Sequence, residues 1–316
     1  MTSTPATTAR TPTLSLLMVG LGRMGAGMAE RLQRGGHRVH GFDPVAAARD
    51  AAAVRGIVVH DSLEAAVAAL PPPGIAWLML PAGTAIDDTL AVLGPLLAPG
   101  AIVVDGGNSN YRDSVARAQR LRADGISYLD CGTSGGIGGL ANGYSLMLGG
   151  DSDAVAVLQP ALATLAPAAD SGWGHVGPSG AGHFAKMVHN GIEYGLMQAY
   201  AEGFAILRRR ADLVPDLVQL ADLWRDGSVI RSWLLDLTAD ALRANPALEG
   251  IAPWVADSGE GRWTVAEAID LDVPAPVITL ALLERLRSRD DDSYTDRLLA
   301  AMRAGFGGHA VKRDPE

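Results

Sequence analysis

From Leu14 the chain alternates short apolar runs with longer amphipathic segments. The runs at residues 14–19, 37–42, 57–59, 75–80, 101–104 and 126–129 predict strands, with helical stretches between them. This βαβ rhythm predicts a mostly parallel, doubly wound sheet of the Rossmann type. Residues 146–148 and 173–176 read as further strands completing that domain. Beyond Phe204 the pattern is one of helices with short breaks. The expected fold class is therefore α/β, with an N-terminal Rossmann-type sheet followed by an all-α C-terminal domain. The expected bounds are 13–180 for the sheet domain and 181–316 for the helical one. Residues 1–12 are mainly Thr, Ser, Pro and Ala and read as a disordered tail, not a secretory signal.

The stretch Gly182-His-Phe-Ala-Lys-Met-Val-His-Asn-Gly-Ile-Glu-Tyr194 opens a long, mostly apolar run that continues through Phe204. Lys186, His189, Asn190 and Glu193 stand at i, i+3, i+4 and i+7. At about 100° per helical residue they share an arc of roughly 100°. Met187, Val188, Ile192, Leu196 and Met197 would cover the remaining surface, which predicts a buried helix. Charged groups buried on one stripe must be paired or used. Two readings follow: an internal Lys186–Glu193 ion pair, or an acid/base stripe facing a cleft.

Gly20-Leu-Gly22-Arg-Met-Gly25 lies between the first strand and a helix that Gly35-Gly36 ends, and Asp43 closes the second strand. That context makes the glycine motif a strong sign of a dinucleotide site. Gly20 permits the turn, Gly22 the approach of the pyrophosphate and Gly25 the close helix packing; Leu21, Arg23 and Met24 complete the loop. Asp43 would accept hydrogen bonds from the adenosine ribose and repel a 2′-phosphate, which favours NAD over NADP. Leu80-Pro81-Ala82 follows the fourth strand at the carboxyl edge, where the cofactor runs. Asp105-Gly-Gly-Asn108-Ser-Asn-Tyr-Arg112 is a polar loop at the same edge, with Asn108 either a turn residue or a ligand. Cys131-Gly-Thr-Ser134-Gly135-Gly136 begins a glycine-rich loop whose exposed amides suit a carboxylate or phosphate, or which serves as a hinge.

At 316 residues the chain is long enough for two domains. Its net charge of −9 argues against nonspecific nucleic-acid binding. A single cysteine, Cys131, forbids an intrachain disulfide and fits a reducing cytoplasm. No apolar run reaches the ~18 residues a membrane span needs. No zinc-ligand spacing occurs. Arg208-Arg-Arg210 reads as a cap on the long helix, and Trp224 to Trp233 as packing and interface. Residues 257–264 read as a loop, and 281–302 as a single amphipathic stretch.

Gly107-Asn-Ser-Asn-Tyr111, Gly135-Gly136, Lys186-Met-Val-His-Asn-Gly-Ile-Glu-Tyr194 and Asp257-Ser-Gly-Glu-Gly-Arg-Trp-Thr264 together resemble 6-phosphogluconate dehydrogenases, within the β-hydroxyacid dehydrogenase superfamily. The resemblance runs from residue 14 to about 311. The chain lacks most of the second helical half of the long form, so it resembles the short form associated with NAD. The long form usually has Lys where Arg262 stands, so a cation is retained and its geometry changes. The resemblance implies metal-free oxidative decarboxylation of a phosphorylated sugar acid, with Lys186 as base and Glu193 as acid. It implies that Asn108, Ser134, Gly135, Gly136, His189 and Asn190 orient the sugar acid, Asn108 also lying beside the cofactor. Tyr194, Arg262, Thr264 and Arg289 would hold the phosphate. His309 would complete the site of a neighbouring subunit in a homodimer or homotetramer. The alternatives are a dehydrogenase of the 3-hydroxyisobutyrate type, which needs no phosphate site, or a non-catalytic NAD(H)-binding regulator.

Overall fold

The computed structural model describes residues 12–307 and 310–312. The expected disordered tail therefore lies, except for Pro12, outside the described residues, as does His309. The chain divides into two compact units, one ending at His189 and the other beginning at Asn190.

The first unit is built on strands β1 (Ser15–Val19), β2 (Arg38–Phe42), β3 (Val58–Val59), β4 (Ile75–Leu78), β5 (Ile102–Asp105), β6 (Ser127–Ser134), β7 (Ser145–Gly149) and β8 (Trp173–Gly177). They form one sheet in the order β3-β2-β1-β4-β5-β6-β7-β8. All neighbours pair in parallel except β6 and β7, whose register runs antiparallel from Asp130↔Gly149 to Ser134↔Ser145. Helices α1 (Arg23–Arg34), α2 (Ala46–Val54), α3 (Leu63–Ala68), α4 (Thr84–Leu93), α5 (Tyr111–Arg122), α6 (Gly139–Asn142) and α7 (Ser152–Leu165) connect the strands. Strand side chains alternate between faces, so β1 sends Leu16 and Met18 into one apolar core and Leu17 and Val19 into the other. A strand covered on both faces needs apolar residues throughout, which is why β1 reads as an unbroken run. The strand order reverses between β1 and β4, and the crevice at that switch point is where such sheets bind ligands.

The long helix α8 (Ala181–Arg209) follows, and the division between the units falls within it. The second unit continues with α9 (Leu217–Arg225), α10 (Trp233–Ala244), α11 (Glu260–Asp270), α12 (Pro276–Arg287) and α13 (Tyr294–Gly307). Its buried apolar residues form two small groups, one around Phe204, Leu235 and Leu242, the other around Tyr194, Ala281 and Leu282. Trp224 packs edge-on against Phe204, with ring centroids 5.8 Å apart. Among the described residues no helix is long and apolar enough to cross a membrane.

Four expectations are corrected. Strand β6 runs to Ser134 instead of stopping at Leu129, because β7 pairs along it across Gly132. Residues 260–264 are helical: Gly259, at φ +94°, turns the chain in the left-handed region and α11 starts directly after it. Residues 281–302 are two helices, and Arg289 lies in the break between them. The apolar cover expected on α8 is largely solvent-facing, with Ile192 53% exposed and Leu196 and Met197 also exposed. The two small apolar groups of the second unit offer too few partners to bury a helix on every side.

Candidate active site

The turn from β1 into α1 is shaped by its glycines. Gly20 has φ +92°, and a side chain there would lie 2.4 Å from the Met79 carbonyl oxygen. A Cβ at Gly25 would lie 1.9 Å from the Gly20 carbonyl oxygen, so only glycine lets α1 approach the turn. Gly22 faces open space, with no atom within 4 Å of where its Cβ would be. It precedes the first turn of α1, which has no side-chain cap and no acidic residue. Arg23 is exposed and Met24 half-buried in that turn, while Leu21 is buried. Open space above uncapped amides is what a pyrophosphate requires. Asp43 Oδ2 accepts from the Leu21 amide at 2.8 Å and Oδ1 from the Val45 amide at 2.8 Å. The carboxylate is thus oriented by two backbone donors and keeps lone pairs for ribose hydroxyls. These residues fit a dinucleotide.

Two loops at the same sheet edge are joined by a buried network that local sequence patterns do not reveal. Asp105 is buried and accepts from the Gly107 amide (2.9 Å), Ser109 Oγ (2.8 Å) and Tyr128 Oη (2.7 Å). Arg117, also buried, contacts Asp105 at 3.5 Å, forks onto both Asp87 oxygens at 2.9 Å and donates to the Gly83 carbonyl at 3.2 Å. Burial disfavours the Arg117 charge, yet Asp87, Tyr128 and Asp105 outweigh it and raise its pKa above the ordinary guanidinium value. The loop of Leu80, Pro81 and Ala82 is therefore tied through Gly83 to the loop carrying Asn108. Asn108 has φ +53°, and its amide spans the Thr133 backbone: Nδ2 donates to the carbonyl at 3.2 Å and Oδ1 accepts from the amide at 2.9 Å. It braces the end of β6 and keeps one donor and one acceptor site for a ligand.

Beyond Ser134 the backbone turns through Gly135 (φ +138°) and Gly136 (φ +50°). The loop wraps the buried Tyr144 ring, which a Cβ at Gly139 would strike at 2.0 Å. Arg31 of α1 holds this region by donating to the Thr164, Leu140 and Ala166 carbonyls at 2.8, 3.2 and 2.7 Å. Cys131 is inert as a nucleophile, because burial pushes its thiol up to about 12. Lys186 is 5% exposed, and its stem lies against Gly132, where a Cβ would stand 2.5 Å from Lys186 Cβ. Lys186 Nζ is 3.4 Å from His189 Nδ1.

In the second unit, Asn190 Nδ2 donates to Glu260 Oε2. Thr264 is buried, donates its hydroxyl to the Glu260 carbonyl at 2.9 Å and packs where a Cβ on Gly191 would be. Glu193 is half-buried on α8. A second cluster forms around Asp257, whose side chain is nearly fully buried. Arg262 Nε donates to its Oδ2, Arg289 lies 3.8 Å from the same oxygen, and Tyr194 Oη donates to Oδ1 at 3.3 Å. Burial works upward on the Asp257 carboxyl, but Arg262, the Gly259 amide and Tyr194 hold it below the usual carboxylate range. Arg285, absent from the sequence reading, stacks its guanidinium 3.6 Å from the Tyr194 ring centroid. It stands four residues before Arg289, which lies beyond the end of α12, so helical spacing does not pair the two. Arg287, between them in sequence, pairs instead with Asp296 at 3.5 Å. Two guanidinium groups at the Asp257 carboxylate and a third on the adjacent Tyr194 ring leave a surplus of positive charge over that carboxylate, suited to an anion.

A family model described as the NAD binding domain of 6-phosphogluconate dehydrogenase matches residues 15–174. A second, described as the 6-phosphogluconate dehydrogenase C-terminal domain, matches residues 182–297. The chain is 47% identical over 302 residues to the NAD(+)-dependent, decarboxylating 6-phosphogluconate dehydrogenase of Haloferax volcanii, covering 95% of this chain and 99% of that one. The solved 6-phosphogluconate dehydrogenase of Plasmodium falciparum is similar with a TM-score of 0.80 at 25% identity, over 96% of this chain and 67% of that longer one. The 3-hydroxyisobutyrate dehydrogenase of Mycobacterium tuberculosis shares the fold, with a TM-score of 0.72 at 24% identity over 89% of this chain and 95% of that one.

Proposed function

The chain belongs to the 6-phosphogluconate dehydrogenase family, and from that premise we propose that it converts 6-phosphogluconate to ribulose 5-phosphate and carbon dioxide with NAD. NAD, when bound, supplies the hydride acceptor. Gly20, Leu21, Gly22, Arg23, Met24 and Gly25 receive its pyrophosphate, Asp43 its ribose, and Leu80, Pro81, Ala82 and Asn108 line its path. The neutral amine of Lys186 takes the C3 hydroxyl proton as hydride leaves C3. The amine must begin neutral to act as the base. The resulting 3-keto acid loses its carboxylate, and the protonated Lys186 stabilises the charge growing on the C3 oxygen. Glu193 then protonates C1 of the enediol. Asn108, Ser134, Gly135, Gly136, His189 and Asn190 orient the sugar acid. Tyr194, Arg262, Thr264, Arg289 and Arg285 hold its phosphate.

The observation that carries the choice of a phosphorylated substrate is the gathering of Arg262, Arg285 and Arg289 around Asp257 and Tyr194. A small unphosphorylated hydroxy acid has no use for three cations. The deciding assay is NADH formation with 6-phosphogluconate, with the pentulose phosphate and carbon dioxide identified. No turnover on any sugar acid would favour a non-catalytic NAD(H)-binding regulator, and preference for an unphosphorylated acid the 3-hydroxyisobutyrate type.

Arg262→Ala is expected to raise KM for 6-phosphogluconate by roughly 10- to 100-fold, the loss of a hydrogen bond between charged groups worth about 1.5–3 kcal/mol. Slow turnover of unphosphorylated gluconate should barely change. Equal losses on both substrates would show that Arg262 acts on folding or chemistry instead.

For the cofactor, kcat/KM should favour NAD over NADP by on the order of 1–3 kcal/mol, because the Asp43 carboxylate opposes a 2′-phosphate. Asp43→Ser should narrow that ratio. Asp43 also holds the Leu21 and Val45 amides, so the ratio of the two cofactors is the reading to compare, not the absolute rate. An unchanged ratio would refute the assignment.

The exposed Ile192, Leu196, Met197, Trp233, Leu237, Leu280 and Leu283 support a homodimer or homotetramer in which other copies of the chain cover them. His309 would then reach a neighbouring subunit's site. Light scattering should give at least a dimer, and a fully active monomer would exclude the shared site.

A further inference from the structure

We propose that Asp130 is a positioning residue for Lys186, a carboxylate inside β6 that pins the first turn of α8 and so sets where the lysine stands. Asp130 has no solvent exposure. Its Oδ1 accepts from the Gly180 amide at 2.6 Å and its Oδ2 from the His183 amide at 2.9 Å. The first N–H groups of a helix have no partner within the helix, and a negative charge among them also opposes the positive end of its dipole. Here that charge comes from a strand fifty residues earlier in the chain.

The surrounding packing makes the pin a tight one. A Cβ on Gly182 would meet the Met147 and Asp130 carbonyl oxygens at 2.3 and 2.5 Å, and a Cβ on Gly149 would meet Asp130 Oδ1 and the Gly182 nitrogen, each at 2.7 Å. Glycine at both places lets the start of α8 rest on the backbone of the β6–β7 pair. Two residues along β6 from Asp130, Gly132 receives the stem of Lys186. Alternate residues of a strand share a face, so Asp130, Gly132 and Ser134 present, in order, the anchor of the helix, the seat of the lysine and the start of the glycine loop. Lys186 lies one turn beyond His183, whose amide is held directly, so a shift of the first turn is carried to the amine.

The inference rests on the proposed role of Lys186 as the base. Asp130→Asn is the sharpest probe because it keeps the shape. Its amide offers one acceptor where two N–H groups need one each, and its NH₂ confronts the other donor. Asp130→Ala removes both acceptors. The rate should be measured per NADH-binding site, alongside KM, NADH affinity and Tm. Leu162→Ala, on the buried face of α7, serves as a variant destabilised elsewhere, and Lys186→Met as the test of the base itself.

The expected result is a kcat per site lowered roughly 10- to 100-fold in Asp130→Asn and further in Asp130→Ala, as displacements of about 1 Å at a reacting group can do. KM and NADH affinity should stay near their wild-type values. Leu162→Ala should lower Tm with kcat per site unchanged. The inference is overturned if Asp130→Asn retains the wild-type kcat per site, or if its loss appears only in KM. Failure of Asp130→Asn to fold or bind NADH would also overturn it, since Asp130 would then serve the fold as a whole. An active Lys186→Met would instead remove the role of the lysine, independently of the Asp130 result.

Discussion

Lys186→Met is expected to abolish NADH formation while leaving NADH binding nearly intact. In the proposed mechanism the lysine is needed at the first proton transfer, because hydride cannot leave C3 without loss of the hydroxyl proton. Removing a positioned general base commonly costs ~10²–10⁴-fold in rate. The same substitution removes the ammonium that stabilises charge on the C3 oxygen during loss of carbon dioxide, so both chemical steps fail together. Met keeps the length and apolar character of the stem that lies against Gly132, so the fold should survive. Stopped-flow absorbance would follow NADH, and fluorescence titration its binding. Turnover near the wild-type rate with intact binding would take Lys186 out of the chemistry.

Glu193→Gln should behave differently in kind. Glutamine keeps the size and hydrogen-bonding capacity of the side chain but cannot donate a carboxylic proton. Steady-state turnover should fall by ~10²-fold or more, as for other lost general acids. Hydride transfer precedes the step Glu193 serves, so a first burst of NADH comparable to the site concentration should remain, followed by slow turnover. Lys186→Met should show no burst. Solvent-isotope exchange into C1 of ribulose 5-phosphate should fall sharply in Glu193→Gln. If that exchange runs at the wild-type rate, Glu193 is not the acid, and an ion-pair role with Lys186 becomes the better reading of the α8 stripe.

Some of this was visible without coordinates. The β1 run, the glycine turn and Asp43 lie within thirty residues and follow from turn geometry, and the chain does pass from β1 through that glycine turn into α1. The helical spacing of Lys186, His189, Asn190 and Glu193 placed them on one helix, and α8 is continuous through all four. Their chemical roles came from resemblance to a family, since periodicity alone left an internal ion pair open beside the acid and base. The helical start at Glu260 was missed, because Gly259 and Gly261 read as loop formers. Gly259 turns the chain and Gly261 instead lets α11 rest on the Tyr194 ring, where a Cβ would strike at 2.4 Å.

What the sequence determined by itself is what neighbours along the chain control: strand and helix periodicity, the dinucleotide turn, and the polar stripe on α8. Only the tertiary structure decided which distant groups meet. It brought Asp130 to the start of α8, Asp105 to Arg117 and Tyr128, and Arg285 to Tyr194 beside the Asp257 cluster. It also decided that one side of α8 is left uncovered by the rest of its own chain, where hydrophobic pattern alone predicted burial. The physical reason is one of range. Backbone geometry and side-chain period act over a few residues and leave their mark on composition, whereas a buried carboxylate is stable only where folding delivers its donors, and no local pattern records which ones those are.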